Sequence, residues 1–202
     1  MVEQFVTLWV VIDPIGTIPV FVAVTASLDT TQRHKTALVA ALTAIGILLF
    51  FLVFGQMLID VLGISLPAFQ VAGSIILFLF ALTMIFGASK PEQELDDIGA
   101  TSRESPAVFP LAVPSLASPG AMLAVVLLTD NHRFSVAEQA VTAAVMVSVC
   151  AIAYLLMLAA GPIQKVIGTN GAAIVSRVMG MILASVAVEN IIEAGREIIA
   201  GS

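Results

Sequence analysis

Six stretches of the chain are each long and apolar enough to cross a lipid bilayer: roughly residues 4–28, 36–62, 67–88, 107–129, 136–160 and 172–195. A helix needs about 20 such residues to span about 30 Å of hydrocarbon. Backbone amides and carbonyls inside lipid must find partners within the segment, so a run of this kind becomes a transmembrane helix. The six runs take up most of the 202 residues and leave little over for a soluble domain. Composition agrees, with 59% hydrophobic and 11% charged residues, against about 45–50% and about 25% in soluble domains. The fold class read from the sequence is an all-α polytopic membrane protein with six transmembrane helices.

Met1-Val2-Glu3-Gln4 places no basic stretch ahead of the first run, so that run is expected to be a true span and not a cleavable leader. The single cysteine, Cys150, can form neither an internal disulfide nor a redox pair and reads as a small buried apolar residue. The net charge of −6, due in part to Glu92, Glu94, Asp96 and Asp97, and the scattered basic residues give no surface for nucleic acid. The basic residues do set a topology. Arg33 and Lys35 follow span 1, Lys90 and Arg103 follow span 3, Lys165 follows span 5, and Arg177 stands at the start of span 6. Only Arg133 and Arg196 fall on the other face. Lys and Arg are retained on the cytoplasmic side. Loops 29–35, 89–106 and 161–171 are therefore expected inside and both termini outside.

The second half of the chain repeats features of the first at a spacing of about 105 residues. Asp13-Pro14 falls on Ser118-Pro119 and Gly63 on Gly168. With two or three residues inserted, Gln70 falls on Arg177, Gly73 on Gly180, Ile76 on Leu183 and Gly87 on Gly195. Three spans is an odd number, so the second copy must enter the membrane the other way up, an arrangement that recurs in secondary transporters. The expected organisation is a first three-helix repeat at 1–88, an acidic connecting loop at 89–106 and an inverted repeat at 107–202.

Spans 1 and 4 carry the chemistry. Asp13-Pro14-Ile15-Gly16 lies in mid-span 1, with Pro19 beyond it, and span 4 contains Pro110, Pro114 and Ser118-Pro119-Gly120. Proline removes an amide, clashes with the preceding turn and pushes the residue before it out of helix. Both spans are thus expected to break, and unwound backbone at that depth must line a cavity or be covered by protein. Amides near Gly16, Thr17, Gly120 and Ala121 would suit a carboxylate, and an intramembrane Asp13 would suit an amine or a proton. The candidate substrate-binding set is Asp13, Pro14, Gly16, Thr17, Ser118, Pro119, Gly120 and Ala121. A plainer reading has Asp13 capping the half-helix that follows it. In span 6, Arg177 either snorkels to the interface or pairs with Asp13. Glu189 lies near the opposite boundary, and Glu193 and Glu197 extend the same stripe as a solvated helix end. Asp13, Arg177 and Glu189 are the candidates for an ion pair or a coupling role. His34 and His132 fall on opposite faces and cannot share a metal. No nucleophile–base pair, phosphate loop or HExxH motif supports catalysis, and no metal or other cofactor is expected.

The stretches VVIDPIGTIPVFVAVT (10–25), GISLPAFQVAGSIILFLFALTMIFG (63–87), VFPLAVPSLASPGAMLAVVLL (108–128) and SRVMGMILASVAVENIIEAG (176–195) resemble the MarC family across nearly the whole chain. The resemblance implies a six-span protein of a prokaryotic inner membrane, related to small neutral amino acid transporters and to the wider lysine-exporter-like group. The leading expectation is a secondary transporter of glycine- or alanine-like zwitterions driven by an ion gradient, with the lipid bilayer as its surroundings and a homo-oligomer left open. The alternative is a divalent metal-ion permease. Spans with no histidine, one cysteine and few carboxylates offer poor ligands for that cargo.

Overall fold

The computed structural model describes residues 2–86, 105–131 and 133–200. The connector expected at 89–106 lies outside these residues apart from Ser105 and Pro106, as do Lys90, Arg103 and His132. The described chain is helical: α1 (Val2–Ile12), α2 (Thr17–Val24), α3 (Thr30–Val61), α4 (Leu66–Phe86), α5 (Ala107–Leu116), α6 (Pro119–Leu127), α7 (Val136–Leu158) and α8 (Ala160–Ala200). Among the described residues, five segments are long and apolar enough to cross a membrane: Gln4–Val24, Thr30–Val61, Leu66–Phe86, Val136–Leu158 and Arg177–Ala200. The pair α5 and α6, bent by 52°, passes the same test together and makes a sixth span when counted as one broken helix.

The broken first span sits innermost. In Gln4–Val24, 61% of the spanning window is buried, against 22% to 33% in the other four unbroken spans. It packs against α6, α7 and α8, while α4 lies along α8, and α3 covers α5, α6 and α7. Small residues set the closest approaches. Gly180 of α8 meets Met84 and the Ala81 carbonyl of α4, and Gly55 of α3 faces Val126 of α6. The outward face of α3, with Leu38, Leu42, Phe50 and Phe54 exposed, suits lipid.

Several local backbone features recur about 105 residues apart. Helix α3 starts with a capping box between Asp29 and Gln32, and α7 starts with one between Ser135 and Glu138. Each satisfies two of the amides that a helix start leaves open. Gly63 and Gly168 both carry a positive φ, 67° and 64°, a region glycine enters without a Cβ penalty. The Asp13 carboxylate accepts the Gly16 amide three residues on, and the Ser118 hydroxyl likewise accepts the Ala121 amide. Each pair is 105 or 106 residues apart.

Two expected loops are shorter than the sequence suggests. Helix continues past Pro162, but Gly168, with φ 64° and ψ 179°, is non-helical and divides α8 into two helices within 161–171. At 29–35 the Asp29 cap starts α3 at Thr30, so only the residues just before it form the connection.

Candidate functional site

Both expected breaks are present, and each has its own cause. Asp13, ahead of Pro14, has φ 51° and leaves the helix at a position where α1 ends and a turn leads into α2. In α5 the two residues ahead of prolines, Phe109 and Val113, are extended, with φ −124° and −130°. They wind the segment loosely and bring it to Ala117. Ser118 then caps α6 with Pro119 in the first turn, where a missing amide costs nothing.

The two breaks are tied together by buried hydroxyls. The Ser118 hydroxyl donates to the Val11 carbonyl at 2.9 Å, which satisfies an acceptor that the end of α1 leaves open. Thr17 Oγ1 donates to the Asp13 carbonyl at 3.1 Å and lies 2.9 Å from Ser115 Oγ of α5. Asp13, Thr17, Ser115 and Ser118 are all 3% exposed or less, so water is excluded from this knot and each bond gains in strength. The amides foreseen as open to a carboxylate are mostly engaged here. Gly16 donates to Asp13 Oδ1, Thr17 to the Asp13 carbonyl and Ala121 to Ser118 Oγ. A Cβ on Gly16 would fall on the Asp13 carboxylate, so that carboxylate folds back over its own turn.

Beside the knot runs a cleft of about 340 Å³, between α1, α4, α6 and α8. Val11 and Gly120, which border the breaks, line it along with Thr7, Leu77, Gln70, Glu189, Asn190, Glu193 and Arg133. Of the residues read from the sequence as a binding set, Gly120 alone is in this lining. Pro14, Gly16, Thr17 and Ala121 are buried around the breaks, and Pro119 is exposed. Glu189 is exposed in the cleft, whereas Arg177 is exposed at the first residue of the last span. That place fits a side chain reaching the interface. Among the described residues, no three His, Cys, Asp or Glu side chains lie close enough to hold a metal ion.

Sequence reasoning missed the far rim of the cleft. Arg133 reaches Asp130 at 3.6 Å, Glu193 at 3.5 Å and also Glu197. The buried Asp130 accepts a bond from Gln56 of α3, and Gln56 in turn accepts the Asn131 amide. Glu193 and Glu197 are thus ion-paired and not merely a solvated stripe. Gln70, aligned with Arg177 in the repeat, donates to the Asn190 carbonyl. Ser115 and Thr7 carried no signal of their own, since a lone hydroxyl in an apolar run is unremarkable until the fold brings a partner.

A family model described as MarC family integral membrane protein matches residues 1–199. A UPF0056 membrane protein of Methanocaldococcus jannaschii is 33% identical over 193 residues, covering 95% of this chain and 94% of that protein. The UPF0056 membrane protein YhcE of Escherichia coli is 30% identical over 200 residues, 98% of this chain and 92% of its own. For YvbG of Bacillus subtilis the identity is 31% over 191 residues, with 93% and 90% covered. No solved structure matches the chain.

Proposed function

Because the chain belongs to the MarC family of integral membrane proteins, we propose that it is a secondary transporter of small neutral amino acids, glycine- or alanine-like, driven by an ion gradient. The observation that carries this reading is the cleft that runs to the two mid-span breaks. Its volume of about 340 Å³ lies in the range of small-ligand sites, roughly 300–1,000 Å³. A mostly apolar wall with six polar side chains, Thr7, Gln70, Arg133, Glu189, Asn190 and Glu193, suits a small zwitterion with a short side chain.

In this reading the two halves are inverted repeats, and transport rocks one against the other about the tied breaks. Asp13 and Ser118 hold the breaks in shape, and the cleft beside them receives the solute. The solute crosses unchanged, with no chemical step and no cofactor. The protein sits in a prokaryotic inner membrane with both termini outside. Arg33, Lys35 and Lys165 then face the cytoplasm, and the cleft rim around Arg133 faces out.

Purified protein in proteoliposomes, given labelled glycine, alanine and serine under imposed proton or sodium gradients, tests the proposal. Uptake above that of empty vesicles, abolished when the gradient is collapsed, is expected. Vesicles that accumulate none of the panel under either gradient would sink it.

A further inference from the structure

The charge around the cleft is unevenly shared. Val186, Glu189, Asn190 and Glu193 recur at helical spacing on one face of α8, and all four line the cleft. Among the described residues the one cation in the lining is Arg133, which meets Asp130, Glu193 and Glu197, so three carboxylates share one guanidinium. Glu189 is in none of these pairs and stands exposed in the cleft, one turn of helix before Glu193. Opposite, on α4, Gln70 lines the cleft. Asp13 is placed differently: its carboxylate is turned onto the Gly16 amide and is absent from the cleft lining.

We propose that Glu189 is the ammonium-recognising residue of the cleft, and that the cleft admits small solutes bearing a primary ammonium and turns away anions of the same size. This rests on the transporter reading and makes it more specific. The excess of carboxylate over guanidinium sets the sign of the field, and Glu189 is the carboxylate placed to meet an incoming cation. A small amino acid would present its ammonium here before moving toward the breaks. An amine without a carboxylate would bind as well, and a carboxylate without an amine would not.

The test uses the full-length protein with Asn190→Cys as a reporter beside Glu189, against the buried Cys150 as background. With Glu189 intact, a cationic methanethiosulfonate should modify position 190 about tenfold faster than an anionic one of similar size. Glu189→Gln should bring the ratio close to that of a free thiol in solution. Glu193→Gln, which removes a carboxylate already held by Arg133, should change it less. Equal rates with Glu189 present overturn the assignment, as does a ratio that Asp13→Asn abolishes and Glu189→Gln does not. This readout does not depend on what is transported. The expected ratio in a protein that carries no amino acid would overturn the transporter reading and leave the ammonium site standing. In a second measurement, alanine and ethylamine should raise the melting temperature and propionate should not. Glu189→Gln should weaken the alanine response about tenfold in midpoint concentration, and an unchanged midpoint would count against the proposal.

Discussion

Single atoms decide the shape of the breaks. A Cβ added at Gly120 would meet the end of the Leu77 side chain, and both residues line the cleft. Gly120→Ala should therefore push Leu77 into the space a solute needs. Overpacking of this kind costs about 1–3 kcal/mol, and we expect a matching fall in uptake. Trimming the obstructing side chain in Gly120→Ala/Leu77→Ala should restore part of it, measured as initial rate in vesicles. A double variant no better than the single one would mean the glycine serves the backbone and not the cleft. At Asp13 the comparison is between Asn and Ala. Gly16, not Asp13, is the N-cap of α2, and the Asp13 carboxylate accepts the Gly16 amide within the turn before it. An Asn side-chain oxygen can accept that amide too and Asn tolerates a positive φ, so Asp13→Asn should melt near the wild-type temperature. Asp13→Ala loses the bond to the Gly16 amide and should cost about 0.5–1.5 kcal/mol. Thermal denaturation in detergent distinguishes this from a carboxylate needed for its charge, which Asn would also abolish.

Whole helices depend on how they begin. The capping boxes at Asp29 and Ser135 lie at corresponding places in the two halves and start the two long helices α3 and α7. Alanine at either position should cost about 1 kcal/mol, and the two losses should add, since the sites share no partner. A combined loss well above the sum, by chemical denaturation, would reveal a coupling between the helix starts. The elements were largely legible in the sequence. Apolar runs fixed the spans to within a few residues, and Pro14, Pro114 and Pro119 marked the breaks through local sterics alone. Local sterics cannot say what a break touches. The bond from Ser118 to Val11 joins residues 107 apart, and that from Gln70 to Asn190 joins residues 120 apart. Both depend on how the helices pack. The Arg133 cluster was hidden for the same reason: a loop arginine and a stripe of glutamates look solvated until the end of α6 is laid against α8. Residues 161–171 looked like a loop because they are polar; the structure narrows the break there to Gly168, whose positive φ parts two helices.

At the scale of the whole molecule, the ends can be told apart. Arg133 joins the connection after α6 to the end of α8, and Phe21, Arg33 and His34 share a small cavity with Gly161 and Pro162 at the start of α8. Cysteines at Lys35 and Lys165 should resist an impermeant maleimide in intact cells, and one at Glu138 should react. Labelling of Lys35→Cys without permeabilisation would reverse the orientation. The length of α3 adds a further consequence. Its first turns, Thr30 to Thr36, are polar, which leaves 37–61 as the apolar part, about 37 Å at 1.5 Å per residue. Helix α4, with 21 residues, reaches only about 31 Å. Two spans of unequal reach cannot both match one bilayer while standing upright, so α3 must lean, or the lipid around it must thicken. The protein thus acts as a gauge of its membrane, and its melting temperature in vesicles should pass through a maximum as acyl chains lengthen, with the optimum moving to shorter chains when a turn is removed from the middle of α3.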